Sequence, residues 1–545
     1  MHSFRRKLPL IASLALLLLL AGLPIAWVLA ESIGLPYGID LSAYGRILAT
    51  ATARSQLGNT ALLGILSVAM AVLLGGGTAI LCFRSDLPLA SWLGMSAMLP
   101  LLFPPIIVAI AFDDLLKVKG LPAVALVLAA SHAPFVVALA ARGLRSVDGR
   151  LYEAVLLARG RLRAELFLLR QIVPDLLAGA LLVFVFTIAN HGVPEFFSVK
   201  MKTWYSYSEA IFLKWGTRGV GPSGLAIGGT MSPEQAASRS AADAVATSIP
   251  LLAITVLGLW LCLRARKKGT LVTLTSDFRE VPRRRLGPWK WPALLFALAL
   301  PCLGLFLPIW RMLRWTKGSM THEHPAFSVI GESFHKLFVR ASDDLQTTIL
   351  VSILVALAVI AIGLPLAWNS ARSRRPWIEA LSLAPLAVPS ILLGIGFIRV
   401  WNHPGQPVDI YDSRLLLVMA YATRFLPIAV LALANAVRRV PVEFGEAALL
   451  TGQGAIPRFV RCTLPTLLPS MVSAGILAYI LSLRELDLAA VLLPGNDMLA
   501  RRLSNIVHFN EEDFGGAIAL ALLVLSALPL LLRILLTGKA GRAVE

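Results

Sequence analysis

Long apolar stretches alternate with short polar ones along the chain, and that alternation sets the expected architecture. A helix needs roughly 20 residues to cross the ~30 Å hydrocarbon core of a bilayer. Twelve stretches of that order occur, near residues 8–30, 60–82, 91–113, 121–142, 175–194, 245–263, 291–310, 347–368, 378–400, 414–436, 466–490 and 515–536. The first is longer than the apolar core of a cleaved signal peptide, and eleven more follow, so it is expected to be a retained helix. The pattern predicts an all-α polytopic membrane protein of about 12 transmembrane helices.

Composition narrows the class. Of the 545 residues, 57% are hydrophobic and only 15% are charged, and the mean hydropathy is +0.76. There is too little polar surface to coat a soluble globule of this size, which excludes a soluble enzyme, a disordered chain and a disulfide scaffold. The four cysteines, Cys82, Cys262, Cys302 and Cys462, lie in or beside apolar segments without metal-ligand spacing and are expected to be buried thiols. No metal site is expected.

The net charge of +19 would suggest a nucleic-acid partner in a soluble protein. In a membrane protein it reports orientation instead. With the end carrying Arg5, Arg6 and Lys7 placed inside, 30 of the 50 Lys and Arg fall in or beside the cytoplasmic segments and 19 in or beside the external ones. Both termini are therefore expected in the cytoplasm.

The pattern also repeats. Pro100-Leu101-Leu102-Phe103-Pro104 in the third stretch matches Pro385-Leu386-Ala387-Val388-Pro389 in the ninth. Pro134 and Pro427, in the fourth and tenth, each precede a Glu-Ala pair (Glu153-Ala154 and Glu446-Ala447) by the same interval. Two six-span halves contain even numbers of crossings, so they are expected to insert as parallel repeats. The halves are residues 1–263 and 291–545, joined by a basic cytoplasmic linker, 264–290, read as a stop-transfer charge cluster and not a nucleic-acid patch. The repeated prolines are expected to kink spans three and nine, through packing or as part of a gate.

The cytoplasmic loops after spans four and ten carry the most specific pattern. In loop 440–465, Glu446-Ala447-Ala448 favours a short helix, Gly452 permits a sharp turn, and Leu464-Pro465 leads into the next span, where proline is tolerated in the first turn. A small surface helix of this kind suits insertion into a groove of a partner. The spacing resembles the EAA motif of permease subunits in ATP-binding-cassette importers, with Cys462 at an isoleucine position. Loop 146–174 holds a degraded copy, Glu153-Ala154, Gly160 and Pro174, in which Val155 takes the second alanine place, Gly160 falls one residue late and Pro174 two. Two fused halves resemble the iron(III), thiamine and phosphonate-type branch of that family. Asn190-His191-Gly192-Val193-Pro194 is similar to a D-F-G-V-P-like segment of the branch, with Asn and His replacing Asp and Phe.

The resemblance implies a permease subunit of an ATP-driven, binding-protein-dependent importer in the bacterial inner membrane. It implies that two copies of a cytoplasmic ATPase subunit dock on the two loops, and that a periplasmic solute-binding protein delivers substrate to the other face. No G-x-x-x-x-G-K-[ST] phosphate loop occurs, so no cofactor is expected on this chain, and ATP and Mg belong to the ATPase. The external segment 195–243, with Trp204, Tyr205, Tyr207 and Trp215, is either a docking surface or an interfacial aromatic belt.

Ionisable residues within apolar stretches are costly and mark candidate function. They are His132, Arg424, Arg484, Glu485 and Asp487, with Asn190 and His191 near the outer end of span five. An ion pair of Arg424 with Glu485 or Asp487 would satisfy both charges; alternatively these groups line a translocation path. The competing function is a 12-helix secondary transporter driven by an ion gradient, a fold that also has parallel repeats but gives no reason for the paired loops.

Overall fold

The computed structural model describes residues 2–33, 44–45, 49–117, 119–201, 206–216, 233–266, 279–316, 326–372, 375–402, 410–440, 443, 454–492, 498–509 and 512–537. Among these residues there is no sheet. The helices of the first half are α1 (Leu10–Ser32), α2 (Ala51–Arg84), α3 (Ala90–Leu102), α4 (Pro105–Leu115), α5 (Gly120–Ser146), α6 (Gly149–Arg159), α7 (Arg161–Ala189), α8 (Gly192–Met201), α9 (Tyr207–Gly216) and α10 (Pro233–Arg266). Then follow α11 (Gly287–Trp315), α12 (Ala326–Arg340), α13 (Ser342–Arg372), α14 (Trp377–Ala387), α15 (Ser390–Trp401), α16 (Arg414–Arg439), α17 (Phe459–Leu483), α18 (Asp487–Leu492), α19 (Leu499–Phe509) and α20 (Asp513–Leu535).

Nine of these are long and apolar enough to cross a membrane, and counting each of two bent pairs as one span gives eleven. The stretch expected at 245–263 forms a shorter apolar helix, Val245–Leu261, inside α10. Spans three and nine are bent far more than a proline kink would require. The angle is 102° between α3 and α4 and 96° between α14 and α15. The cause is the same at both. Pro104 (φ −55°, ψ 137°) and Pro389 (φ −56°, ψ 142°) adopt extended backbone, and each lacks the N–H that would carry the helix through. Span eleven also ends earlier than expected, at Leu483 and not near 490, so Arg484, Glu485 and Leu486 lie in a helix break. The break is stable because the Glu485 carboxylate accepts from the Leu488 N–H (3.2 Å), satisfying one of the orphan donors that open α18.

The first apolar helices of residues 1–263 and of residues 291–545 each pack on a helix of the other segment. A Cβ on Gly396 of α15 would lie 2.8 Å from the Pro24 carbonyl of α1, and one on Gly77 of α2 would lie 2.6 Å from Phe296 of α11. Small residues permit such close helix approach in a membrane, where dispersion replaces hydrophobic drive. Ion pairs finish both exchanges: Arg399 of α15 with Glu31 of α1, and Arg311 of α11 with Asp114 of α4, each at 2.7 Å. Arg399 and Asp114 are 285 residues apart, the same interval as Pro104 and Pro389. Cys82 is buried as expected, whereas Cys302 is exposed on the outside of α11.

Candidate functional site

The first cytoplasmic loop folds as helix, glycine turn, helix. Asp148 caps α6 by accepting from the Arg150 N–H at 3.0 Å. Gly160 ends it with φ +78°, a left-handed geometry that glycine adopts without strain. Leu157 and Leu162, on either side of that turn, are 88% and 76% exposed. Glu153 is half-buried and pairs with Arg279 at 3.5 Å, and Ala154 is exposed. Pro174 does not open a membrane helix as the spacing suggested. It lies buried inside α7, which starts at Arg161 directly after the glycine. The two-residue lag of Pro174 thus corresponds to a loop whose second arm is already part of the span.

In the second loop, Glu446, Ala447, Ala448 and Gly452 lie outside the described residues. Leu464 is half-buried and Pro465 exposed, following a single π-helical turn, Phe459–Thr463, at the start of α17.

The linker between the halves has structure that its charge did not announce. The Gly149 N–H donates to the Arg279 carbonyl (2.7 Å), the Arg284 N–H to the Arg84 carbonyl (2.7 Å), and the Asp86 N–H to the Arg284 carbonyl (3.0 Å). The Leu286 N–H donates to the Asp86 carboxylate (2.9 Å), which also pairs with Lys290 at 3.0 Å. The Leu286 N–H, with Lys290 second, holds the Asp86 carboxyl below its ordinary range. A depressed carboxylate stabilises its contact above the unfolded pKa and loses that contribution as pH falls through the folded one. Protection of the Leu286 amide from hydrogen exchange is therefore expected to stay flat from neutral pH to about 5 and to fall below about 4. An amide equally protected at pH 3 and pH 7 would contradict this.

The intramembrane polar residues converge at the two helix breaks. His132, Asn190, Arg424, Arg484, Glu485 and Asp487 line one cavity of about 30 Å³, room for about two waters. The break after α7 meets the break after α17. His191 Nδ1 lies 2.6 Å from an Asp487 carboxylate oxygen, which also accepts from the His191 N–H at 3.3 Å. This contact joins residues 296 positions apart in the chain. The ion pair expected for Arg424 is not the one formed: Asp487 is held by His191, and Arg424 donates to the Val388 carbonyl (2.9 Å) and lies over the Phe186 ring (5.3 Å). Arg484 likewise donates to the Leu101 carbonyl at 3.2 Å. The reason is physical. Each proline break strips carbonyls at a helix C-terminus of their intrahelical donors, lipid offers none, and a cation suits the negative end of the helix dipole. Arg424 serves the break of span nine and Arg484 that of span three. Arg424 Nε, one Arg484 terminal nitrogen and His132 Nδ1 have no protein partner among the described residues. The cavity therefore has donor capacity to spare.

On the outer segment, Trp204 and Tyr205 lie outside the described residues. Tyr207 and Trp215 are buried, Trp215 beneath the Arg399 guanidinium (5.7 Å), so these two form neither an exposed docking surface nor a lipid-facing belt. Sequence reasoning missed both the arginine–carbonyl pairing and the bonded linker. The double proline at 104–105 was the available signal for the first.

The model of the family "Binding-protein-dependent transport system inner membrane component" matches residues 359–538, a range that includes loop 440–465. The chain is 31% identical over 177 residues to the putative ABC transporter permease protein ORF1 of Streptomyces antibioticus, covering 31% of this chain and 73% of that one. It is 28% identical over 204 residues to the molybdenum transport system permease protein ModB of Mycobacterium tuberculosis, covering 34% and 77%. It is 24% identical over 236 residues to the Fe(3+)-transport system permease protein FbpB 2 of Haemophilus influenzae, covering 42% of this chain and 44% of that permease, so less than half of that relative's length is matched. The chain belongs to the inner-membrane permease family of binding-protein-dependent ABC transporters, whose members are non-catalytic, multi-pass transport subunits.

Proposed function

We propose that this chain carries both permease halves of an importer, as twelve crossings in two parallel six-helix repeats with cytoplasmic termini. Two copies of an ATPase subunit, which hold ATP and Mg, dock on loops 146–174 and 440–465, and a periplasmic solute-binding protein presents the substrate opposite. The observation that carries this reading is the helix–glycine–helix at 149–189, whose turn exposes Leu157 and Leu162. Apolar side chains exposed at a loop tip of a membrane protein are suited to a protein groove. The repeat is supported by the matching bends at Pro104 and Pro389 and by the reversed ion pairs of Glu31 and Asp114.

The translocation path passes the cavity between the two helix breaks, where the halves meet. At about 30 Å³ the cavity is closed to a solute in this conformation, so transport requires the breaks to separate. Substrate candidates are iron(III), thiamine and phosphonate-like solutes.

Glu446→Lys and Gly452→Trp are expected to lower ATP-driven uptake roughly tenfold, equivalent to about 1.4 kcal/mol of lost docking, while membrane insertion stays normal. Normal uptake together with normal ATPase co-purification in both variants would refute the coupling loops. Uptake in vesicles that survives an uncoupler excludes the ion-gradient transporter.

A further inference from the structure

We infer that linker residues 279–286 are a strap that holds the first coupling helix, α6, against the cytoplasmic end of α2 and so positions it for the ATPase. This rests on the coupling reading of loop 146–174.

One end of the strap completes the cap of α6. A helix begins with four N–H groups that lack intrahelical acceptors. The Asp148 side chain takes one, from Arg150, and the Arg279 carbonyl takes another, from Gly149 at 2.7 Å. The approach is close enough to require glycine, since a Cβ at position 149 would stand 2.7 Å from the Glu280 carbonyl oxygen. Val281 then packs on an apolar cluster to which α5, α6 and α7 contribute Leu144, Tyr152 and Leu168.

The other end is tied to residues 84–86 by the three bonds to Arg84 and Asp86 described above. Beneath the strap, the Arg84 guanidinium lies over the Tyr152 ring (4.7 Å) and 3.6 Å from Glu165, while the Tyr152 hydroxyl donates to Glu165 at 3.0 Å. Arg84 therefore contacts both arms of the coupling loop from the end of α2. The strap's side chains are mostly exposed, and its hold comes from backbone groups.

This arrangement accompanies the altered motif. In loop 146–174 the glycine and proline are displaced from the motif spacing and Pro174 is absorbed into α7. The strap constrains α6 from outside the loop.

The test uses the full-length chain in lipid nanodiscs, with residues 279–286 replaced by an equal length of Gly-Ser and, separately, with Asp86→Ala as a milder variant. Hydrogen exchange is followed at amides 149–153 and, as an internal control for folding, at 467–483. Protection of 149–153 is expected to drop at least about tenfold in the first variant and less in the second, with 467–483 unchanged. Unchanged exchange at 149–153 would overturn the strap whatever the fate of the coupling reading. Faster exchange accompanied by undiminished ATP-driven uptake, in a system where Gly452→Trp does lower uptake, would overturn its positioning role. Faster exchange with reduced uptake supports it.

Discussion

Asp487→Ala is expected to destabilise the protein by about 3–5 kcal/mol, the range for removing one partner of a buried charged pair. Three losses coincide. The His191 ring is 2% exposed and its Nδ1 would lose its 2.6 Å partner. The His191 N–H would lose its acceptor at the end of α7, and an unsatisfied buried donor costs about 1–3 kcal/mol. The N-terminus of α18 would lose a carboxylate from its first turn. His191→Leu combined with Asp487→Leu removes both polar partners and is expected to recover about half of the lost stability, because well-packed apolar pairs replace buried polar pairs at little net cost. Thermal unfolding of the detergent-purified variants measures both. Equal losses in the single and double variants would show that the pair is not the source of the effect. Since the contact joins the halves at the cavity, Asp487→Ala is also expected to reduce uptake more than its folded fraction accounts for.

The second large effect is expected at Gly179→Val. The helices α2, α5 and α7 meet around Ala71, Ala129, Ala133 and Ala140. A Cβ at Gly179 would stand 2.8 Å from the Val136 Cα, and one at Gly75 would stand 2.8 Å from the Ala133 carbonyl. Backbone cannot yield as a side chain can, so α7 must move away from α5. Overpacking at such a contact costs about 3 kcal/mol, and here it adds to lost dispersion along the helix pair. Gly58→Val in α2, which has open space at its Cβ, serves as the control and is expected to shift the unfolding midpoint little. Similar midpoints for the two variants would mean that the α5–α7 contact is not tight.

The length of apolar runs made the helices legible, because crossing a bilayer imposes a minimum that few other structures share. The prolines announced kinks in spans three and nine, but not breaks with bends near a right angle, which depend on where both limbs find packing. Arg424 was legible as an anomaly and not as a solution. Its acceptor is the Val388 carbonyl, freed by Pro389, and a carbonyl leaves no trace in a residue pattern that looks for opposite charge. The strap was hidden for the same reason: its bonds are made mainly by main-chain groups, while Arg283, Arg284 and Arg285 drew attention to charge alone. His191 and Asp487 were each visible, but their meeting depends on two breaks facing one another across the halves.

The strap also bears on parity. Residues 84–86 and 149 are bonded to the same short segment, so they lie on one face of the membrane. Between them run one straight span, α5, and the bent pair α3–α4. A chain that leaves a face and returns makes an even number of crossings, so on the proposed topology the bent pair is expected to be a traverse and not a re-entrant loop, which cysteine labelling from the two faces would check. Between 149 and 279 the described residues include α7 and α10, and by the same rule the short apolar helix Val245–Leu261 is expected to be a traverse as well. Were α3–α4 to dip and return, residues 84–86 and 149 would face opposite sides of the bilayer; were Val245–Leu261 to do so, the linker would face away from both. In either case the three bonds to Arg279 and Arg284 could not all form.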